Sequence, residues 1–111
     1  MSRNPSAKGK ADANHKAIAD AIRILGCPVM DLSAAGNGVE DLLVGIHLRT
    51  DSWEQPLLMR QWLLVECKNL KGRGLRFTPA QKEWREKTAG WPRITVTSGQ
   101  NAVDQIREMA P

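Results

Sequence analysis

Between residues 62 and 97 the chain spells out a strand–helix–strand crossover, and no other feature restricts the fold as much. Trp62-Leu-Leu-Val-Glu-Cys-Lys68 is the strongest strand in the sequence. A basic loop containing glycine follows, from Asn69 to Phe77. Thr78 is then an N-cap, Pro79 takes the first helical position and Gln81 completes a capping box. The helix runs to Ala89 and stops at Gly90, and Arg93-Ile-Thr-Val-Thr97 reads as an alternating strand. Such a crossover is right-handed and makes its two strands parallel. An α/β fold with helices layered on a mixed sheet is the expected architecture.

The remaining segments fit around that unit. Residues 1–10 are small, polar and basic and are expected to form a disordered arm, leaving 11–111 as a single domain. Ile18, Ala21, Ile22 and Leu25 recur at helical spacing, so a helix is predicted from about Asp12 to Leu25, capped by Asp12 or Asn14 and ended by Gly26 and Pro28. Cys27–Leu32 reads as a short strand, Ser33–Gly38 as a loop and Val39–Leu48 as a strand with apolar residues on both faces. Arg49–Gln61, with Pro56, reads as a long hairpin connection, and a last helix should run from about Asn101 to Ala110. The predicted order is α-β-β-β-α-β-α.

Composition narrows the class. The chain has 111 residues, 41% of them hydrophobic and 25% charged, which is ordinary globular usage. No apolar run approaches the roughly 20 residues of a membrane span, and the basic N-terminus has no apolar segment behind it to make a secretory signal. Cys27 and Cys67 cannot build a disulfide framework and lack zinc-site spacing. An intracellular, reduced protein is expected. From Lys68 to Arg93 there are eight bases and two acids, net +6 against −2 for the remainder. That segment favours an anionic partner, nucleic acid first.

Charge also stands where strands begin and end. Asp41 precedes Leu42-Leu-Val44, while Glu66 and Lys68 close Leu63-Leu-Val65. Residues two apart in a strand share a face about 6.6 Å apart, so Glu66 and Lys68 point one way and Cys67 the other. If the two strands pair antiparallel, Asp41 can lie beside Glu66. Two such carboxylates repel, and the conflict is removed by a hard divalent ion, which takes one or two carboxylates, waters and a phosphate oxygen. Such an ion polarises a phosphodiester and acidifies a bound water, and Lys68 would orient that water or offset charge on the phosphate.

Gly38-Val-Glu-Asp41-Leu-Leu-Val-Gly45, Glu66-Cys-Lys68 and Leu75-x-Phe-Thr-Pro-Ala-Gln81-x-x-Trp84, in this order, resemble the VRR-NUC family, the virus-type replication-repair branch of the PD-(D/E)XK nucleases. Asp12-Ala-Asn-His15 with its amphipathic helix, and Ser98-x-x-Asn-Ala-Val103, extend the likeness over about residues 11–107. The resemblance implies a restriction-endonuclease-like α-β-β-β-α-β core and a Mg²⁺- or Mn²⁺-dependent phosphodiesterase acting on DNA. Stand-alone members of this size are similar to phage and bacterial homodimers that cut branched DNA such as Holliday junctions, which implies the cytoplasm of a bacterium or an infected host cell. By position, Asp41, Glu66 and the backbone carbonyl of Cys67 become metal ligands, Lys68 the catalytic lysine and Gln81 a further site residue. The family's usual proline before the aspartate is Glu40 here, expected to point to the other face. His15 stands where the family commonly has a glutamate that is a candidate metal ligand, so the resemblance makes His15 a candidate ligand too, and an imidazole suits Mn²⁺ better than Mg²⁺.

Each residue also has a plainer explanation. Asp41 could be a turn acid, Glu66 and Lys68 an edge salt bridge, Gln81 only a capping residue and His15 only a half-buried helix residue. His47 reads as a surface histidine. Lys71, Arg73 and Arg76 in the glycine-containing loop, with Lys82 and Arg85 on the helix, are the expected phosphate contacts, and Lys8 and Lys10 could add nonspecific affinity. Trp62, Trp84 and Trp91 suit core and dimer packing, whereas Trp53 is the best interface or DNA candidate. The competing expectation is a DNA-binding module that keeps the fold and has lost catalysis.

Overall fold

The computed structural model describes residues 5–49, 58–71 and 75–109. Its elements are α1 (Pro5–Ile24), β1 (Val29–Asp31), β2 (Leu42–Arg49), β3 (Leu58–Cys67), α2 (Pro79–Lys87), β4 (Arg93–Val96) and α3 (Gly99–Met109). The four strands form one sheet in the order β1-β2-β3-β4. β1 and β3 both run antiparallel to β2, and β4 runs parallel to β3. This is the mixed sheet flanked by helices that the crossover predicts.

Boundaries differ from the expected ones where local signals compete. Helix α1 begins at Pro5, so residues 5–10 of the expected arm are helical and residues 1–4 lie outside the described residues. Alanines 7, 11 and 13 and lysines 8 and 10 are good helix formers, and proline suits a first helical position. Asn14 is consequently inside the helix and is not its cap. β3 starts at Leu58, paired with Arg49, so the hairpin connection, with Trp53 and Pro56, falls outside the described residues. The loop before β2 contains a 3₁₀ turn at Ser33–Ala35.

One face of the sheet holds the core. Leu42, Val44 and Ile46 of β2, Leu63 and Val65 of β3 and Val96 of β4 meet Ile18 and Ile22 of α1 and Ala102 and Ile106 of α3, all buried. Full burial of a leucine or isoleucine contributes about 1.5–3 kcal/mol relative to exposure. The two helices approach closely at Gly99, where a Cβ would lie 2.9 Å from the Ala21 Cβ. The opposite face presents Leu43, Trp62 and Leu64 around Trp84 of α2, and Trp62 and Trp91 remain largely exposed. Among the described residues, no helix is long and apolar enough to cross a membrane.

Register positions the site. Leu42 pairs with Val65, so Asp41, one residue before, stands opposite Glu66, one residue after.

Candidate active site

The carboxylates of Asp41 and Glu66 converge at the adjoining ends of β2 and β3. Asp41 Oδ2 accepts the backbone amide of Cys67 at 2.8 Å, which ties the residue preceding β2 to the end of β3. Glu66 is buried, with 4% of its surface exposed. Burial, followed by the negative charge of Asp41, pushes its carboxyl up to about 7, and the neighbouring Lys68 offsets only part of this. Glu66 Oε1 is buried and has no hydrogen-bond partner among the described residues.

Lys68 and Gln81 complete the cluster from two directions. Lys68 Nζ lies 3.2 Å from Glu66 Oε2 and donates to Gln81 Oε1 at 3.0 Å. Gln81 Nε2 donates to the same Glu66 oxygen. The capping box predicted from Thr78 is present, with Gln81 N donating to Thr78 Oγ1 and Thr78 N donating to Gln81 Oε1. Capping and site membership are therefore one arrangement: the helix N-terminus holds the glutamine carbonyl, and the free amide reaches the carboxylate.

Three further residues make contacts around the site that local sequence pattern does not assign to them. Phe77 stacks between cations, 4.7 Å from Lys68 Nζ and 4.3 Å from the Arg85 guanidinium carbon. Asn14 Nδ2 donates to the Lys68 carbonyl at 3.1 Å, anchoring the end of β3 to α1. Glu40 does not turn to a separate face as expected. It is buried under α2, accepts Trp84 Nε1 at 2.7 Å and faces Arg93 Nε at 3.4 Å and Arg85 at 3.8 Å. The reason is that β2 begins at Leu42, so strand alternation does not extend back to Glu40.

Other expected residues lie elsewhere or apart. His15 is mostly buried, but its Nε2 faces Asp31 Oδ2 at 3.4 Å, on the strand beyond β2. Among the described residues no three His, Cys, Asp or Glu side chains gather to hold a metal, so His15 does not join Asp41 and Glu66 in such a set. Cys67 packs its side chain against the core, and burial with the nearby carboxylates of Asp41, Glu66 and Asp31 pushes its thiol up. Its carbonyl lies in the backbone link between Glu66 and Lys68. Lys71, Arg76 and Lys82 are exposed, as phosphate contacts require, and Arg73 lies outside the described residues. Arg85 is turned onto Phe77 and Glu40. His47 is exposed, as expected.

The donor set fits a hard divalent cation. Asp41 and Glu66 bring two carboxyl groups together, one with a buried oxygen that has no hydrogen-bond partner among the described residues, and Mg²⁺ asks for no more than one or two protein carboxylates. Comparison with protein-family models, curated proteins and solved structures gives no match to this chain.

Proposed function

We propose that this chain is a Mg²⁺- or Mn²⁺-dependent endodeoxyribonuclease that hydrolyses phosphodiesters in branched DNA, as its VRR-NUC resemblance implies. What carries the reading is the convergence of Asp41 and Glu66, with Lys68 and Gln81 bonded to the same Glu66 oxygen. Asp41, Glu66 and the Cys67 carbonyl would hold the ion. Bound there, it would polarise the phosphodiester and make water acidic enough to attack.

The chain's own groups do the rest. Lys68, a half-buried cation beside the carboxylates, offsets charge building on the phosphate during in-line attack. Gln81 holds Lys68 and Glu66 in one geometry. The exposed bases Lys71, Arg76 and Lys82 supply sequence-independent phosphate contacts. The product carries a 5′-phosphate by the same resemblance. A four-way junction presents two equivalent strands, and a two-fold dimer offers two sites, so the working form is a homodimer.

A second reading, a DNA-binding module without turnover, is favoured by one observation: among the described residues only two carboxylates gather here, with His15 facing Asp31. One assay separates them. The protein is incubated with a labelled four-way junction and Mg²⁺ or Mn²⁺, with linear duplex and single strand as controls. Cleavage that disappears in Lys68→Ala, with junction binding retained, supports the nuclease. Binding without cleavage under both metals overturns it.

A further inference from the structure

The three residues before Asp41 fasten α2 to the sheet at two points. Gly38 has φ +80°, and a Cβ there would lie 2.3 Å from the Ala80 carbonyl oxygen and 2.5 Å from Gln81 N. Both are backbone atoms of the first turn of α2, with no flexible side chain to yield. One turn on, Trp84 Nε1 donates to Glu40 Oε1 at 2.7 Å, and Glu40 in turn faces Arg93 of β4 at 3.4 Å. No residue of α2 is fully buried, so these contacts add to the apolar surroundings of Trp84 in fixing where the helix sits. Gln81 lies between them and carries the amide that joins Glu66 to Lys68.

We propose that Gly38 is a positioning residue: its bare backbone lets the first turn of α2 seat against the loop, and this places the Gln81 amide on Glu66. The Glu40–Trp84 bond is the second point of the same mount. The inference rests on the nuclease reading for its kinetic consequence, though not for its geometry. Gly36 provides an internal contrast, because it also has positive φ (+67°) but a Cβ there meets nothing within 4 Å. Alanine at either position imposes left-handed backbone strain. Only at 38 does it also strike α2.

The test compares Gly38→Ala with Gly36→Ala in the full chain. Displacing the amide by an ångström lowers kcat for junction cleavage about 100-fold in Gly38→Ala, with KM little changed, while Gly36→Ala stays close to wild type. In a Gln81→Ala background the Gly38→Ala loss disappears, since no amide remains to misplace. Trp84→Phe removes the donor to Glu40 without adding bulk, and it shows a smaller kcat loss with the same dependence on Gln81, which keeps the test decisive if Gly38→Ala does not fold. Equal kcat for the two glycine variants, or a loss from Trp84→Phe or Gly38→Ala that persists undiminished without Gln81, overturns the proposal. Should wild type cleave nothing, the nuclease reading fails by itself, and the Gln81 side-chain amide NMR signal in the metal-free protein decides. It must move toward the free-glutamine position in Gly38→Ala or Trp84→Phe and not in Gly36→Ala, and an unmoved signal overturns the proposal.

Discussion

The backbone amide of Cys67 donates to Asp41 Oδ2 at 2.8 Å, so the carboxylate that precedes β2 is held by the very strand end that carries Glu66. One bond thereby ties the two acidic groups together without any third side chain. Asn at position 41 retains an oxygen that can accept this amide, which makes Asp41→Asn a probe of charge with the geometry kept.

Asp41→Asn is expected to leave the fold and junction binding intact and to abolish cleavage. Charge stabilisation by a bound metal is worth several kcal/mol, and each 1.4 kcal/mol is about tenfold in rate, so a loss of about 100-fold or more is anticipated. Gel assays of cleavage and binding on the same junction check it. A variant with near-wild-type turnover would remove Asp41 from the site.

The raised Glu66 carboxyl predicts how the metal-free protein responds to pH. Its folded value, about 7, lies above the ordinary 4.5, so the folded state holds a proton that the unfolded chain has released. Stability is then fully present below about 4.5 and declines as pH rises through 7, the reverse of a salt-bridged carboxylate. Urea unfolding at pH 5 and pH 8 should show the lower midpoint at pH 8, and Glu66→Gln should remove the difference. Because the ion requires both carboxylates ionised, Mn²⁺ affinity should climb over the same interval.

The parts of this arrangement that obey local rules could be read before any coordinates. Thr78, Pro79 and Gln81 announce α2 through capping chemistry alone, and apolar runs at 42–44 and 63–65 announce two strands whose antiparallel pairing brings 41 opposite 66. What escaped depends on contacts distant in sequence. Asn14 reaches the Lys68 carbonyl across 54 residues, and helical periodicity tells that His15 faces inward without telling that it meets Asp31 instead of Glu66. Glu40 is two residues outside the start of β2 at Leu42, so the alternation expected of a strand from Val39 does not govern it. A charged residue beside an apolar strand, with Trp84 and Arg93 available as partners, was the signal that could have revealed it.

Glu40 should therefore matter for stability. It is 2% exposed, and its partner Arg93 has a side chain 12% exposed. Removing one member of a buried pair leaves an uncompensated charge, at a cost of about 3–5 kcal/mol. Glu40→Ala should show this loss in urea titration, while Glu40→Gln, which still accepts the Trp84 indole, should lose less. A cost near zero for Glu40→Ala would mean that Arg93 finds water easily.

His15 should prove dispensable for metal use. Its imidazole faces Asp31 at 3.4 Å, and even outer-sphere partners of a metal typically cost 10–100-fold when lost. His15→Ala is expected to change initial cleavage rates by less than about tenfold, with the ratio of Mg²⁺ to Mn²⁺ activity unaltered. A larger drop, together with a switched metal preference, would return His15 to the ligand set.

The exposed bases can be separated from the engaged ones by salt. Lys82 projects from α2 with its side chain in solvent, whereas Arg85, one turn away in the same helix, lies against Phe77 and 3.8 Å from Glu40. A lysine that neutralises one phosphate releases about one counterion, so Lys82→Ala should weaken junction binding alike for unrelated sequences and reduce the log Kd against log salt slope by about 1. Arg85→Ala should leave that slope nearly unchanged and lower the unfolding midpoint, since the contacts it loses are internal. Fluorescence anisotropy across a salt series measures the first quantity and urea unfolding the second. If Arg85→Ala instead flattens the slope as Lys82→Ala does, the guanidinium leaves Glu40 for the DNA backbone when the complex forms.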